Sequence, residues 1–169
     1  MQVKKRDGSL EPLDIDKLHK VVMYACEGIA GVSASQVEIN SKIQFFESMA
    51  TKDIQETLIK SAADLISEET PNYQYVAGRL INYHLRKMVY DSFTPPCLCD
   101  IIDKNIDAGF YDEEFRELYT KDDIDDLNEH INHDRDEVLT YAAMEQFRGK
   151  YLVQNRATGE IFETPQVAY

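Results

Sequence analysis

The sequence predicts a mainly α-helical protein with small β-hairpins near its two ends. Two β-prone runs are each interrupted by a turn signal, Asp7-Gly8 in "VKKRDGSLEPL" and Thr158-Gly159 in "KYLVQNRATGEIFE". Between them, apolar residues recur at helical spacing and are punctuated by Ser, Thr and Asp starts and by Gly and Pro stops. Hydrophobic content of 43% and charged content of 29% belong to an ordinary globular chain with a real core.

The first hairpin follows from the positive φ angles that Asp-Gly tolerates, and Pro12 confines its second strand to an edge or to its end. Asp14 then reads as an N-cap, with Ile15, Leu18, Val22, Ala25 and Ile29 marking one face of a first helix that ends near Gly28 or Gly31. A second helix starts around Ser33 or Ser35, where Ser33 with Gln36 and Ser35 with Glu38 fit the capping box, and continues through Val37, Ile39, Ile43 and Phe46. The third runs from Thr51 through Ile54, Leu58, Ala62, Leu65 and Ile66, leaving at "SEETP". The fourth starts at Pro71, carries Tyr75, Val76, Leu80, Tyr83, His84, Lys87 and Met88, and stops at "FTPP". Thr94-Pro95-Pro96 marks the boundary between a first domain, 1–93, and a second, 94–169. The second holds shorter acidic helices, roughly 97–109, 112–118, 121–133 and 136–148, before the closing hairpin. "TPQVAY" then begins an apolar element, which reads as a chain cut from a longer polypeptide.

Charge is unevenly placed. Residues 1–90 hold 12 acids and 11 bases, whereas residues 103–145 hold 15 acids and 4 bases, so most of the net charge of -13 sits in the back half. That half repels nucleic acid, while the near-neutral front can host a local cationic site for an anionic ligand. No stretch approaches the roughly 18 apolar residues of a membrane span, and no signal-peptide core follows the charged N-terminus. A cytoplasmic protein with neither membrane nor nucleic acid as partner is predicted. Cys26, Cys97 and Cys99 form no disulfide framework, and Cys97-x-Cys99 has no second pair to complete a zinc site.

Standard catalytic signatures are missing: no P-loop, no G-x-G-x-x-G fingerprint and no G-x-S-x-G elbow. Two acidic or histidine clusters read as structure rather than as sites. His130-x-x-His133 with Asp134 and Asp136 lacks a third well-placed metal ligand, and the run Asp122, Asp123, Asp125 and Asp126 lacks the EF-hand glycine and terminal glutamate, so it reads as a solvated helix start. A third cluster is cationic: Lys5 and Arg6 at the hairpin, Lys17 one turn into the first helix, and Arg86-Lys87 near the end of the fourth. A hairpin folded over the helices could gather these around a polyphosphate; by default a basic hairpin tip is simply solvated.

The blocks "VKKRDGSLEPLDIDKLHKVV", "TKDIQETLIKSAADLIS", "NYQYVAGRLINYHLRK" and "HDRDEVLTYAAMEQFRGKYLVQNRATGEIFETPQ" decide between these readings. With the spacings between them, essentially the whole chain resembles the N-terminal region of the large subunit of class I (aerobic) ribonucleotide reductase, bacterial or phage type, including the regulatory module called the ATP-cone. The resemblance implies a β-hairpin lid over a four-helix bundle that binds ATP or dATP, with Mg²⁺, as an allosteric effector of overall activity. Carried onto matching positions, it assigns nucleotide contacts to Val3, Lys5, Arg6, Glu11, Asp14, Lys17, Leu18, Thr51, Ile54 and Lys87. Lys5, Arg6 and Lys87 would neutralise triphosphate, Glu11 and Asp14 would accept from the adenine amino group, and Val3, Leu18 and Ile54 would flank the base. Gln55 stands where many dATP-inhibited members have histidine; it can hydrogen-bond a ribose but carries no charge. Asp14 stands where some relatives have asparagine. The resemblance also implies partners: the remainder of the large subunit, the small radical-carrying subunit, and further copies in the full enzyme. The family's catalytic cysteines belong to a barrel further along, so Cys26, Cys97 and Cys99 fall outside those roles and no residue here is catalytic. The competing reading is a degenerate cone that has lost nucleotide and serves as a structural or interaction module. A cone in a transcriptional repressor would need paired CxxC motifs, which are absent.

Overall fold

A computed structural model describes residues 1–5, 8–42 and 44–169. Arg6, Asp7 and Ile43, which the sequence reading assigns to the hairpin turn and the second helix, lie outside the described residues. The chain divides into two compact units, residues 1–81 with 138–144, and residues 82–137 with 145–169.

The first unit opens with β1 (Gln2–Lys4) and β2 (Leu10–Pro12), antiparallel with Val3 opposite Glu11. Gly8, at φ +88°, supplies the backbone the turn needs, and its N–H donates to Lys5 O at 3.0 Å. Pro12 closes an edge strand, where a missing N–H removes no ladder bond. Helix α1 (Ile15–Cys26) starts as expected: Asp14 accepts the Lys17 N–H at 3.0 Å, and Leu18, Val22 and Ala25 are buried at helical spacing. Helix α2 (Ala34–Lys42) is shorter than predicted. Phe46 and Ile39 are in helical register but exposed, and the buried face of α2 is carried by Val37 and Ser41 instead. Instead the chain turns through Ser48, in the left-handed region, into β3 (Met49–Ala50), which pairs parallel to β1. The sheet order is therefore β2-β1-β3, with Val3 buried in the centre.

Helix α3 (Thr51–Ala63) follows β3 without a loop and ends before Leu65 and Ile66, which the apolar spacing included. α1 packs on α2 and α2 on α3. Helix α4 (Tyr73–Tyr90) supplies Tyr73, Val76, Ala77 and Leu80 to the same core. The Tyr73 hydroxyl donates to Gln36 Oε1 at 2.6 Å and accepts the Ser33 N–H at 2.9 Å, so Gln36 serves α4 rather than the predicted capping box. Segment 138–144 completes this unit and comes so close to α4 that only glycine fits at position 78.

In the second unit, α5 (Leu98–Asp107) and α7 (Lys121–His130) bury Leu98, Ile102, Ile106 and Ile124, with α6 (Glu114–Leu118) adding Phe115. Thr120 and Asp123 form a reciprocal capping box at the start of α7. The helix predicted over 136–148 is broken: a 3₁₀ segment (His133–Val138), then α8 (Tyr141–Gln146), then a π-helical turn (Phe147–Tyr151). Side chains of the following hairpin hold that turn open, since Gln154 Nε2 donates to Arg148 O and Arg156 donates to Gly149 O and Lys150 O. β4 (Gln154–Asn155) and β5 (Glu160–Ile161) form the predicted second hairpin, with Gly159 at φ +73°. The stretch after it is buried and bonded: the Glu163 carboxylate accepts from the Tyr111 hydroxyl and the Val153 N–H, and Thr164 pairs with Tyr90. A last turn, α9 (Pro165–Ala168), starts with proline at its first position. Among the described residues no helix is long and apolar enough to cross a membrane.

Candidate functional site

The three-stranded sheet sets the geometry of the candidate site. Val3 lies between Glu11 on one side and Met49 on the other, and Lys4 between Leu10 and Ala50. Because β1 and β3 are parallel, Lys5 and Thr51 are the residues that follow the last pair, Lys4 and Ala50, on the two chains. Thr51 is also the first residue of α3, so the β1–β3 ladder ends at a helix N-terminus. The residue capping that terminus is Ala50, which provides no side-chain acceptor, and the first-turn N–H groups make a partial positive charge. Ile54 is buried one turn in, and Gln55 is half-buried beside it.

Charge in this region is internally paired. Lys5 Nζ lies 2.8 Å from Glu11 Oε1. Asp14 Oδ1 accepts the Lys17 N–H and Oδ2 lies 3.4 Å from Lys17 Nζ, and the backbone hydrogen bond holds the Asp14 carboxyl below the usual carboxylate range. Leu18 is buried on the next turn of α1. A shallow groove of about 340 Å³ runs along α1 past His19, Met23 and Tyr24, but none of the predicted contacts lines it.

The structure thus brings Val3, Lys5, Glu11, Thr51, Ile54 and Gln55 around the β1–β3 ladder, and attaches Asp14, Lys17 and Leu18 through the short β2–α1 junction. Arg6 is outside the described residues. Lys87 belongs to the second unit, where its Nζ donates to Asp91 O at 2.5 Å, lies 3.2 Å from Asp91 Oδ1, and stands 5.9 Å from the Phe93 ring centre. Arg86 does not join a cationic pocket with it: Arg86 is buried and donates from Nη2 to His133 O at 2.6 Å. The two histidines of His130-x-x-His133 do not share a helix face, because α7 ends at His130, whose Nδ1 sits 2.9 Å from Asp126 O. Asp123, from the acidic run, is committed to the α7 cap, and Thr120 holds its carboxyl low. Sequence reasoning missed β3: two residues carry no period, and a parallel pairing between residues 46 positions apart leaves no local signal.

A family profile described as the ATP cone domain matches residues 1–88, ending within α4. The chain belongs to the ATP cone family. As a cone it is a domain that binds a nucleotide effector. Similarity extends past the cone. The ribonucleoside-diphosphate reductase 1 alpha subunit of Escherichia coli (strain K12) is 51% identical over 167 residues, covering 99% of this chain and 22% of the relative. The ribonucleoside-diphosphate reductase alpha subunit of Haemophilus influenzae is 49% identical over 169 residues, covering 100% and 22%. That of Enterobacteria phage T4 is 40% identical over 169 residues, again covering 100% and 22%. The chain therefore spans 22% of the length of these relatives.

The donor set suits an anionic nucleotide. Lysine ammonium groups and an uncapped helix N-terminus recognise phosphate, carboxylates accept from an exocyclic amine, and buried Val3, Leu18 and Ile54 offer apolar walls.

Proposed function

We propose that residues 1–93 sense ATP against dATP and pass the outcome to the rest of a ribonucleoside-diphosphate reductase large subunit, thereby setting the supply of deoxyribonucleotides. The observation that supports this most is the match of the first 88 residues to the cone family, in a chain whose β1–β3 ladder ends at the start of α3 next to Lys5 in sequence. Lys5, with Arg6 and Lys87, would neutralise the triphosphate together with Mg²⁺. Glu11 and Asp14 would accept from the adenine amino group, Lys17 would steady Asp14, and Val3, Leu18 and Ile54 would flank the base. Thr51 and Gln55 would face the ribose, where the 2′-hydroxyl separates ATP from dATP. Residues 94–169 link the cone to the remaining large subunit, and the small radical-carrying subunit and further copies of the large subunit are the partners through which effector binding becomes an activity change. An effector can bias those assemblies only by its differential affinity for them.

One observation favours the degenerate module instead: Lys5, Lys17 and Lys87 each already hold a carboxylate partner. Calorimetric titration with ATP and dATP, with and without Mg²⁺, separates the readings. Saturable heat supports sensing, and no heat at millimolar nucleotide leaves the structural module. In the same titration Gln55→His should change the ratio of ATP to dATP affinity; an unchanged ratio removes Gln55 from the ribose contact.

A further inference from the structure

The ladder that joins β3 to β1 has two residue pairs, Val3↔Met49 and Lys4↔Ala50. So short a pairing does not hold its own register. One residue outside it the register is closed by a clasp: the Gln2 N–H donates to Glu47 Oε1 at 2.8 Å, and Gln2 O accepts the Ser48 N–H at 2.9 Å. Ser48 sits at φ +63°, a left-handed conformation that a residue with a side chain adopts only when its surroundings impose it. From Ser48 the chain runs directly through Met49 and Ala50 into Thr51, with no loop to absorb an error. A slip at the clasp is therefore passed unchanged to the first turn of α3.

We infer that Glu47 and Ser48 are positioning residues of the nucleotide site: by clasping Gln2 they fix the start of α3 against β1 and set the spacing between Thr51, Ile54, Gln55 and Lys5. This rests on the nucleotide reading above. Glu47 acts as a hydrogen-bond acceptor for a backbone N–H, a role a neutral amide oxygen can also fill. It is exposed, so its replacement leaves the core of the unit intact.

The test uses the 169-residue chain with Glu47→Ala, Glu47→Gln, Ser48→Gly and Ser48→Val, measuring ATP affinity and hydrogen exchange at the Ala50 and Thr51 amides. Glu47→Ala should weaken ATP binding roughly threefold to tenfold, the worth of one aligning hydrogen bond. Glu47→Gln should restore it, Ser48→Gly should bind at least as tightly as the parent because glycine takes this φ without strain, and Ser48→Val should lose affinity. Unchanged affinity in Glu47→Ala, or equal losses in Glu47→Ala and Glu47→Gln, overturns the proposal. If the parent chain takes up no nucleotide, the nucleotide reading fails on its own. The clasp is then judged by exchange alone: faster exchange at Ala50 and Thr51 in Glu47→Ala, restored in Glu47→Gln, upholds it, and identical exchange in all variants overturns it.

Discussion

Asp136 is completely buried in the 3₁₀ segment. Burial pushes its carboxyl up to about 6; Arg86, from α4, and Gln166, from α9, offset only part of this, and Arg86 is already committed to His133 O. The stability consequence has a definite sign. With the folded value above the ordinary 3.8 of an unfolded aspartate, the folded chain holds this proton more tightly between about pH 4 and 6. Ionised Asp136 thus opposes folding at neutral pH, and that opposition is relieved as pH falls through 6 towards 4. The difference is on the order of 3 kcal/mol. Asp136→Asn should therefore gain stability relative to the parent as pH rises from about 4 to 6 and keep a constant advantage above about 7, read as the difference between two urea-denaturation series so that the other acids cancel. A difference that does not change with pH would show that Asp136 is ionised and satisfied in the fold.

At the scale of elements, α4 and the segment after Val138 meet without a side chain between them. A Cβ on Gly78 would stand 2.1 Å from Leu139 O and 3.0 Å from Thr140 C, both backbone atoms that cannot rotate away. Two effects compete in Gly78→Ala. Alanine gains about 1 kcal/mol of helix propensity, while overpacking against a fixed carbonyl costs typically 1–3 kcal/mol, occasionally more. A 2.1 Å contact lies at the severe end, so net destabilisation of about 1–2 kcal/mol is expected in urea denaturation. A stabilised variant would mean that Leu139 does not press on α4. The same contact shows what sequence could and could not reveal. α1 was legible because Asp14, Leu18, Val22 and Ala25 combine a cap with a buried period, and the second hairpin was legible from Thr158-Gly159. The helix predicted over 136–148 was not, because what breaks it is the crossing over Gly78 and the side chains of Gln154 and Arg156, all distant in sequence. In the site, the hairpin and the α3 residues were individually readable. Their juxtaposition depends on β3, Glu47 and Ser48, which carry no periodic signal.

Across the whole molecule, the compact units do not coincide with the first helical bundle and its successor: the division falls within α4, between Ile81 and Asn82. Every described contact assigned to nucleotide lies in the first unit except Lys87. A ligand at a hundredfold excess over its Kd stabilises what it binds by about 2.7 kcal/mol, but only against openings that disrupt its site. Saturating ATP should accordingly slow amide exchange by roughly a hundredfold in β1, β2 and the first turns of α1 and α3, while β4, β5 and the amides around Glu163 keep their rates. α4 is the discriminating element. If Lys87 engages phosphate, it must leave Asp91, and protection should run along α4 to Lys87; if it stays with Asp91, protection should fade past Ile81. The variant Lys87→Ala checks the assignment from the other side, since it should remove protection between Asn82 and Tyr90 and weaken ATP more than adenosine. Uniform slowing throughout both units would instead show that the chain opens as one cooperative body, and equal losses of ATP and adenosine would show that Lys87 does not touch phosphate.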